Sequence, residues 1–462
     1  MVAGLHPPTL AFRTRVAAAW ARVGPLEVAV ALGCALAAAT GTIGADSRWL
    51  SALGRVIVDR GSIPDGVPYA SAPSTGWHNV PVLAELALHG LTSVAGDRGL
   101  QVAQVVAVAV GLAFVALDMR REDADDLGAA LVLLVVVVGA LSALVIVRSQ
   151  LFSLALFPGM VVLLRAEARS PSARIWLLPP VFALWSNLHG AVLVGLAASS
   201  AYLVLQRARK EPVTALLVLV ASALAICLTP ALVHTPDYYL GVLRNEAARR
   251  GEGLWAPISL GSGFDLLLLT AAIALLVLAL RRTPALWETI VIAALAVLTV
   301  RTARSGVWLL FFTAAPAART LRFGSGRRWQ PAGVSVAVAC GLVALGLVRG
   351  PLPGGAGHSL LDEALLRADG TPILADPIPA EQVALAGGRV WISNPLDAFS
   401  HRDQRLYLDW LAGRPDGDAA LRNASRVVLV VRDSAAARRL ARSATLRAVA
   451  QDAHAVLYVK RR

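Results

Sequence analysis

Lysine is nearly missing from this chain: of its 43 basic residues, only Lys210 and Lys460 are lysines. Charge of either sign is scarce, at 16% of 462 residues, where a soluble domain carries about 25%. That deficit excludes an ordinary soluble enzyme. Disorder is excluded too, since it needs low hydrophobicity and high charge and 56% of these residues are apolar. Cysteine is confined to Cys34, Cys227 and Cys340, each inside an apolar run, so no disulfide framework or cysteine metal cluster is implied. A formal charge of +13 raises nucleic acid as a partner, but most of the arginines punctuate apolar runs, and nucleic acid is set aside. What remains is an α-helical polytopic membrane protein.

A hydrocarbon core of roughly 30 Å takes about 17–25 apolar residues per helix. Apolar runs fall at Pro25–Gly44, Leu100–Met119, Leu127–Val147, Leu151–Leu164, Pro212–Ala231, Phe264–Leu280, Leu286–Val300, Val307–Ala318 and Ala332–Val348. The stretch from Ile175 to Gln206 exceeds one span and is broken by Trp185-Ser186-Asn187-Leu188-His189-Gly190. It reads as two short helices meeting at a turn, for about eleven spans in all.

Orientation follows the arginines of short loops. Arg13, Arg15 and Arg22 precede the first span and predict a cytoplasmic N-terminus over residues 1–24, with a cleavable signal peptide as the rival reading. Val80–Ala95 carries Glu85 and His89 and is short for a span, so we read it as interfacial or re-entrant. The arginines at 120/121, 165/169/174, 207/209, 281/282 and 319/322/327/328 then all become cytoplasmic. The opposite, outer face receives the loop 45–99, the turn Arg148-Ser149-Gln150, the break at Asn187 and His189, the loop Leu232–Gly263 and the turn Arg301–Ser305. Transmembrane residues 25–349 are followed, beyond the linker Pro351-Leu352-Pro353-Gly354-Gly355, by a tail over 350–462 that reads as a separate, small extracytoplasmic α/β domain. Its strands are expected at Arg389–Ser393 and Val427–Val431, its helices at Gln404–Ala412 and Ala435–Ser443, with a hairpin over Leu446–Val459.

The chemistry-bearing residues cluster in those outer turns. Asp46, just past the first span, is a half-desolvated carboxylate suited to accept a proton; an interfacial acid beside Trp49 is the plainer reading. Glu85 and His89 share a helix face at i, i+4. A metal would need a third ligand from Asp46, Asp65 or His78, and the sequence neither requires nor excludes a divalent ion. Arg148, Arg301 and Arg304 sit in tight turns between apolar helices, where cations are costly and tend to be functional. A guanidinium fork suits a phosphate, and snorkelling to lipid head groups is the alternative. Asn187 and His189 lie at a helix break of the kind that holds charged ligands.

In order along the chain, Asp46…Trp49…Gly54…Gly61-Ser62-Ile63-Pro64, Trp77-His78-Asn79…Glu85, Arg148-Ser149-Gln150-Leu151-Phe152-Ser153, Pro179-Pro180…Trp185-Ser186-Asn187-Leu188-His189-Gly190, Thr229-Pro230, Leu254-Trp255 and Arg301…Arg304 form a pattern. The chain resembles bacterial polytopic membrane proteins of the GT-C glycosyltransferase-like class, which includes polyprenyl-phosphate-sugar-dependent mannosyl- and arabinosyltransferases. The resemblance implies a catalytic acid in the first outer loop, at Asp46, and a sugar carried on a lipid phosphate. Three positions depart from the pattern: Ser149 stands where proline is usual, Asp65 follows Pro64 directly, and a threonine precedes Pro230.

The expectation is therefore inverting glycosyl transfer at the outer face of the membrane, to a cell-envelope glycan, lipid or protein. Asp46 would serve as base and Arg148, Arg301 and Arg304 as phosphate ligands. Asn187 and His189 would position the donor, with His78 and Glu85 lining the cavity. A non-catalytic polyprenyl-phosphate binder or transport component is the alternative.

Overall fold

The computed structural model describes residues 23–323, 332–423 and 426–461. Arg13, Arg15, Arg22, Arg327 and Arg328 lie outside them. The apolar runs become α1 (Pro25–Thr40), the second half of α3 (Val82–Arg121), α4 (Asp126–Gly139), α6 (Leu151–Arg169), α9 (Pro212–Ala225), α12 (Gly263–Leu280), α13 (Leu286–Arg301), α14 (Gly306–Ala318) and α15 (Ala332–Arg349). Between them, α2 is Ser47–Arg60, α5 is Leu141–Val145, α10 is Thr235–Arg244 and α11 is Glu246–Arg250, with strands β1 (Thr42–Ile43) and β2 (Ile146–Val147). The broken stretch is indeed two helices, α7 (Leu178–Ser186) and α8 (Val192–Leu205). Among the described residues, Val82–Arg121, Leu151–Arg169 and Gly263–Leu280 are long and apolar enough to cross a membrane.

Local chemistry sets the ends. Asp125 caps α4 by accepting from Gly128 N at 3.1 Å, and Pro212 opens α9, where its missing N–H is no loss. Gly96, at φ +57°, bends α3 sharply. The chain turns so tightly there that a Cβ on Gly99 would sit 2.3 Å from the Leu91 carbonyl oxygen. On α9, Val213, Leu216, Leu217, Val220 and Leu224 form an exposed apolar stripe, a face that only lipid or another helix would cover.

Five of the arginines read as cytoplasmic, at positions 120, 165, 169, 207 and 319, form ion pairs in the bundle. Arg120 pairs with Glu27 at 2.6 Å, Arg169 and Arg319 with Glu122, and Arg207 with Glu167 at 2.9 Å. Buried Arg165 pairs with Asp118, donates Nε to Glu288 at 2.9 Å and Nη2 to the Phe312 carbonyl at 2.8 Å. Each buried charge here has a partner, as burial demands.

Beyond α15 come α16 (His358–Ala368), β3 (Leu374–Ala375), α17 (Pro377–Leu385), α18 (His401–Leu411), β4 (Val427–Val431), α19 (Ala435–Leu440), β5 (Leu446–Gln451) and β6 (Ala455–Lys460). The sheet order is β3-β4-β6-β5, with β3 parallel to β4 and the rest antiparallel. The expected strand at Arg389–Ser393 is reduced to single-residue bridges: Val390 pairs with Ile373 on one side and with Ala70 of the first loop on the other. Gly387-Gly388 before it and Pro395 after it keep the run too short for a ladder.

The Ala70 bridge corrects the reading of a separate tail domain. Val390 N donates to Tyr69 O and Ser71 N to Val390 O, both at 2.9 Å. Trp49, Leu50, Leu53, Tyr69 and Leu88 share one buried core with Ile373, Trp391, Tyr407, Val428 and Leu457. The amphipathic pieces of the first loop could not bury their apolar faces alone, and the tail supplies the other half. The first arm of α3 contributes Leu88 to this core, whereas the bundle has its own, around Leu112, Leu133, Phe157, Phe182 and Phe312.

Candidate functional site

Two very short strands assemble the centre. In β1 and β2, Thr42 faces Ile146 and Ile43 faces Val147 in parallel register, and Gly44 N extends the ladder to Val147 O at 3.0 Å. Ser47 Oγ donates to Gly44 O at 3.2 Å and lies 3.3 Å from Val147 O. Parallel strands leave a sheet at the same end, so Asp46 and Arg148 emerge side by side. Gly44 is needed for this approach: a Cβ there would lie 2.4 Å from Ile146 Cγ2 and 3.2 Å from Arg148 Nε.

Asp46 precedes α2 with φ +87°, a conformation uncommon for any residue but glycine. Its carboxylate is held on one oxygen only. Trp49 Nε1 donates to Oδ1 at 3.4 Å and Asn394 Nδ2 donates to Oδ1 at 3.2 Å. Its backbone N–H donates to Glu381 Oε1 at 2.9 Å, which also accepts from Asn394 Nδ2 at 3.0 Å. Trp77 Nε1 donates to Asp397 Oδ2 at 2.8 Å, and Tyr238 packs on Trp77 with ring centroids 6.1 Å apart. Burial first, then the Asp46 charge, push the Glu381 carboxyl up to about 8. Burial, opposed by the Trp77 hydrogen bond, pushes Asp397 up to about 6. Sequence reasoning missed Glu381, Asn394, Asp397 and Tyr238, three of them in a tail whose ordinary composition gave no signal.

The guanidinium groups of Arg148 and Arg304 stand outside the ion pairs of the described residues. Burial pushes Arg148 down from its usual range while Asp46 and Glu381 pull it back. Burial and Arg148 push Arg304 down, opposed by Asp46. The Nε of Arg148 is buried without a hydrogen-bond partner. Arg304 lies over the Trp255 ring at 4.3 Å, a favourable cation–π distance, and Gln150 Nε2 donates to its backbone carbonyl at 3.4 Å. Arg301, grouped with Arg304 in the sequence reading, belongs to α13 as its exposed last residue. The break at Thr302 separates it from Arg304, and among the described residues no hydrogen bond or ion pair links it to the others.

His189 sits in a hydrogen-bonded group with Ser153 and Trp185. Trp185 Nε1 donates to Ser153 Oγ at 2.7 Å, Ser153 Oγ lies 2.8 Å from His189 Nδ1, and Ala191 N donates to the same Nδ1 at 3.2 Å. An indole N–H and a backbone N–H only donate, so the serine hydroxyl donates to Nδ1, and the ring proton sits on Nε2. Burial, aided by Arg304, pushes His189 down and keeps the ring neutral.

Three expectations change. Asn187 spends both amide hydrogens on carbonyls, Ala183 O at 2.8 Å and Leu228 O at 2.7 Å, so it splices the helix break instead of offering donors to a ligand. Glu85 is fully buried, accepting from Asn79 Nδ2 at 2.7 Å, and lines no open surface. His78 is exposed, edge-on to His234 with centroids 4.2 Å apart. Among the described residues, no three histidine, cysteine or acidic side chains gather as a metal site, so the ligand set around Glu85 and His89 is not assembled.

No family model matches the chain, and no curated protein does. Among solved structures similar to it are two that it matches across their length. ArnT from Cupriavidus metallidurans bound to undecaprenyl phosphate superposes with a TM-score of 0.54 at 13% identity, over 94% of this chain and 97% of that one. The apo state of the same ArnT gives 0.50 at 14%, with the same coverage. The likeness establishes the fold alone: the chain shares the polytopic helical architecture of ArnT.

Proposed function

We propose that the chain transfers a sugar from a polyprenyl phosphate to a hydroxyl of a cell-envelope acceptor, at the face carrying the tail. That face is taken as extracytoplasmic, with the arginine-rich loops and N-terminus cytoplasmic. One observation carries the reading: the β1–β2 pairing sets Asp46 and the unpaired Arg148 side by side. Asp46 Oδ2, free of the Trp49 and Asn394 bonds that hold Oδ1, takes the acceptor proton. The acceptor oxygen attacks the anomeric carbon, and the bond from that carbon to the phosphate oxygen breaks. The phosphate leaves with the electron pair, its charge met by Arg148 and Arg304. His189 Nε2–H is a further donor. The undecaprenyl phosphate of ArnT supports a lipid-phosphate donor.

The experiment is turnover of polyprenyl-phosphate sugar by full-length protein in proteoliposomes. Asp46→Asn and Arg148→Ala both lose transfer under this reading. A lipid-phosphate binder, the second reading that the unpaired arginines allow, keeps lipid binding in Asp46→Asn and never releases sugar.

A further inference from the structure

We propose that Glu381, presented by α17 of the tail, is a positioning residue for Asp46, so that the tail completes the site by fixing the base. The proposal rests on the transfer reading above for its catalytic consequence, and on geometry alone for the contact. A single oxygen, Glu381 Oε1, accepts from the Asp46 backbone N–H at 2.9 Å and from Asn394 Nδ2 at 3.0 Å. Asn394 Nδ2 in turn reaches Asp46 Oδ1 at 3.2 Å. The backbone of Asp46 is thus tied directly to Glu381, 335 positions away, and its carboxylate to the same residue through Asn394.

The tie has something to oppose. A non-glycine residue at φ +87° persists only where its surroundings over-determine it. Glu381 is 1% exposed and its Oε2 has no partner, an arrangement expensive for a carboxylate and acceptable for an uncharged acid. The groups acting on it are Asp46, which favours the neutral form, and Arg48 and Asn394, which favour the charged one; burial outweighs both. Ionised, it would also act on Tyr69 of the first loop, Tyr407 of α18 and Arg148 beyond β2. A neutral acid beside Asp46 leaves the base as the local negative charge facing Arg148. Glutamine reproduces that neutral acceptor; alanine and aspartate do not.

The test uses the full chain in nanodiscs, comparing wild type, Glu381→Ala, Glu381→Asp and Glu381→Gln. Hydrogen exchange is read at the Asp46 amide, and kcat and KM with polyprenyl-phosphate sugar. Losing one buried hydrogen bond of about 1 kcal/mol predicts about fivefold faster exchange at Asp46 in Glu381→Ala. Peptides from Leu151–Arg169 should stay protected. The kcat falls about tenfold, with KM for the donor little moved, and Glu381→Gln restores both readouts. Where alanine unfolds the tail, Glu381→Asp is read in its place, with the same expectation. Unchanged exchange at Asp46 in the alanine or aspartate variant overturns the proposal, as does a glutamine variant no better than they are. A wild type without turnover sinks the transfer reading alone, leaving exchange to decide Glu381.

Discussion

Asp46 and Arg148 lie three residues beyond Ile43 and one beyond Val147, the pair that closes the β1–β2 register. A ladder of two pairs thereby joins the first long loop to the turn before α6. Because Gly44 leaves no room for a Cβ beside Ile146 and Arg148, Gly44→Ala should push Arg148 off its position. The expected outcome is weaker retention of undecaprenyl phosphate in a lipid-binding assay, with unchanged helicity by circular dichroism.

Removing the basic oxygen of Asp46 as asparagine keeps the hydrogen-bonding shape while abolishing proton acceptance. General-base catalysis is worth about 10²–10⁴-fold, so Asp46→Asn should lose that much kcat with expression and donor binding intact. Full turnover in single-turnover assays of the variant would remove Asp46 from the chemistry.

Glu381 also makes stability depend on pH. Its carboxyl stands at about 8 in the fold against 4.5 ordinarily, so between those values the folded chain binds more protons than the unfolded one. Stability from this group is then full below 4.5 and declines as pH rises through 8. Thermal unfolding in detergent should show that decline in the wild type, with the Glu381 contribution absent from Glu381→Gln.

Arg165 is buried with Asp118, Glu288 and the Phe312 carbonyl as partners. Breaking a buried pair by deleting one side costs about 3–5 kcal/mol. Arg165→Ala should lower the unfolding temperature, yet leave turnover per folded molecule unchanged, because its partners are Asp118, Glu288 and the Phe312 carbonyl and not Asp46 or Arg148.

Much of this was legible in the sequence because lipid imposes length and polarity so strictly. The apolar runs became helices, the break at Asn187 became a turn, and Asp46, Arg148 and His189 stood out as polar groups in short connections. Arg301 and Arg304 look alike in sequence; only the helix end at Arg301 separates them. Asn187 was misread because the carbonyls at Ala183 and Leu228 that take its amide hydrogens are invisible without coordinates. Glu381 and Asn394 were not legible at all. They reach Asp46 through the core that the first loop and the tail share, and a contact across 335 residues leaves no local pattern.

The most direct measurement is a density map of the full-length protein in nanodiscs with undecaprenyl phosphate. The phosphate should lie at hydrogen-bond distance, about 3 Å, from the guanidinium groups of Arg148 and Arg304, on the same side as Asp46 Oδ2. A phosphate settled elsewhere, with Arg148 and Arg304 unengaged, would contradict a shared site for the base and the leaving group.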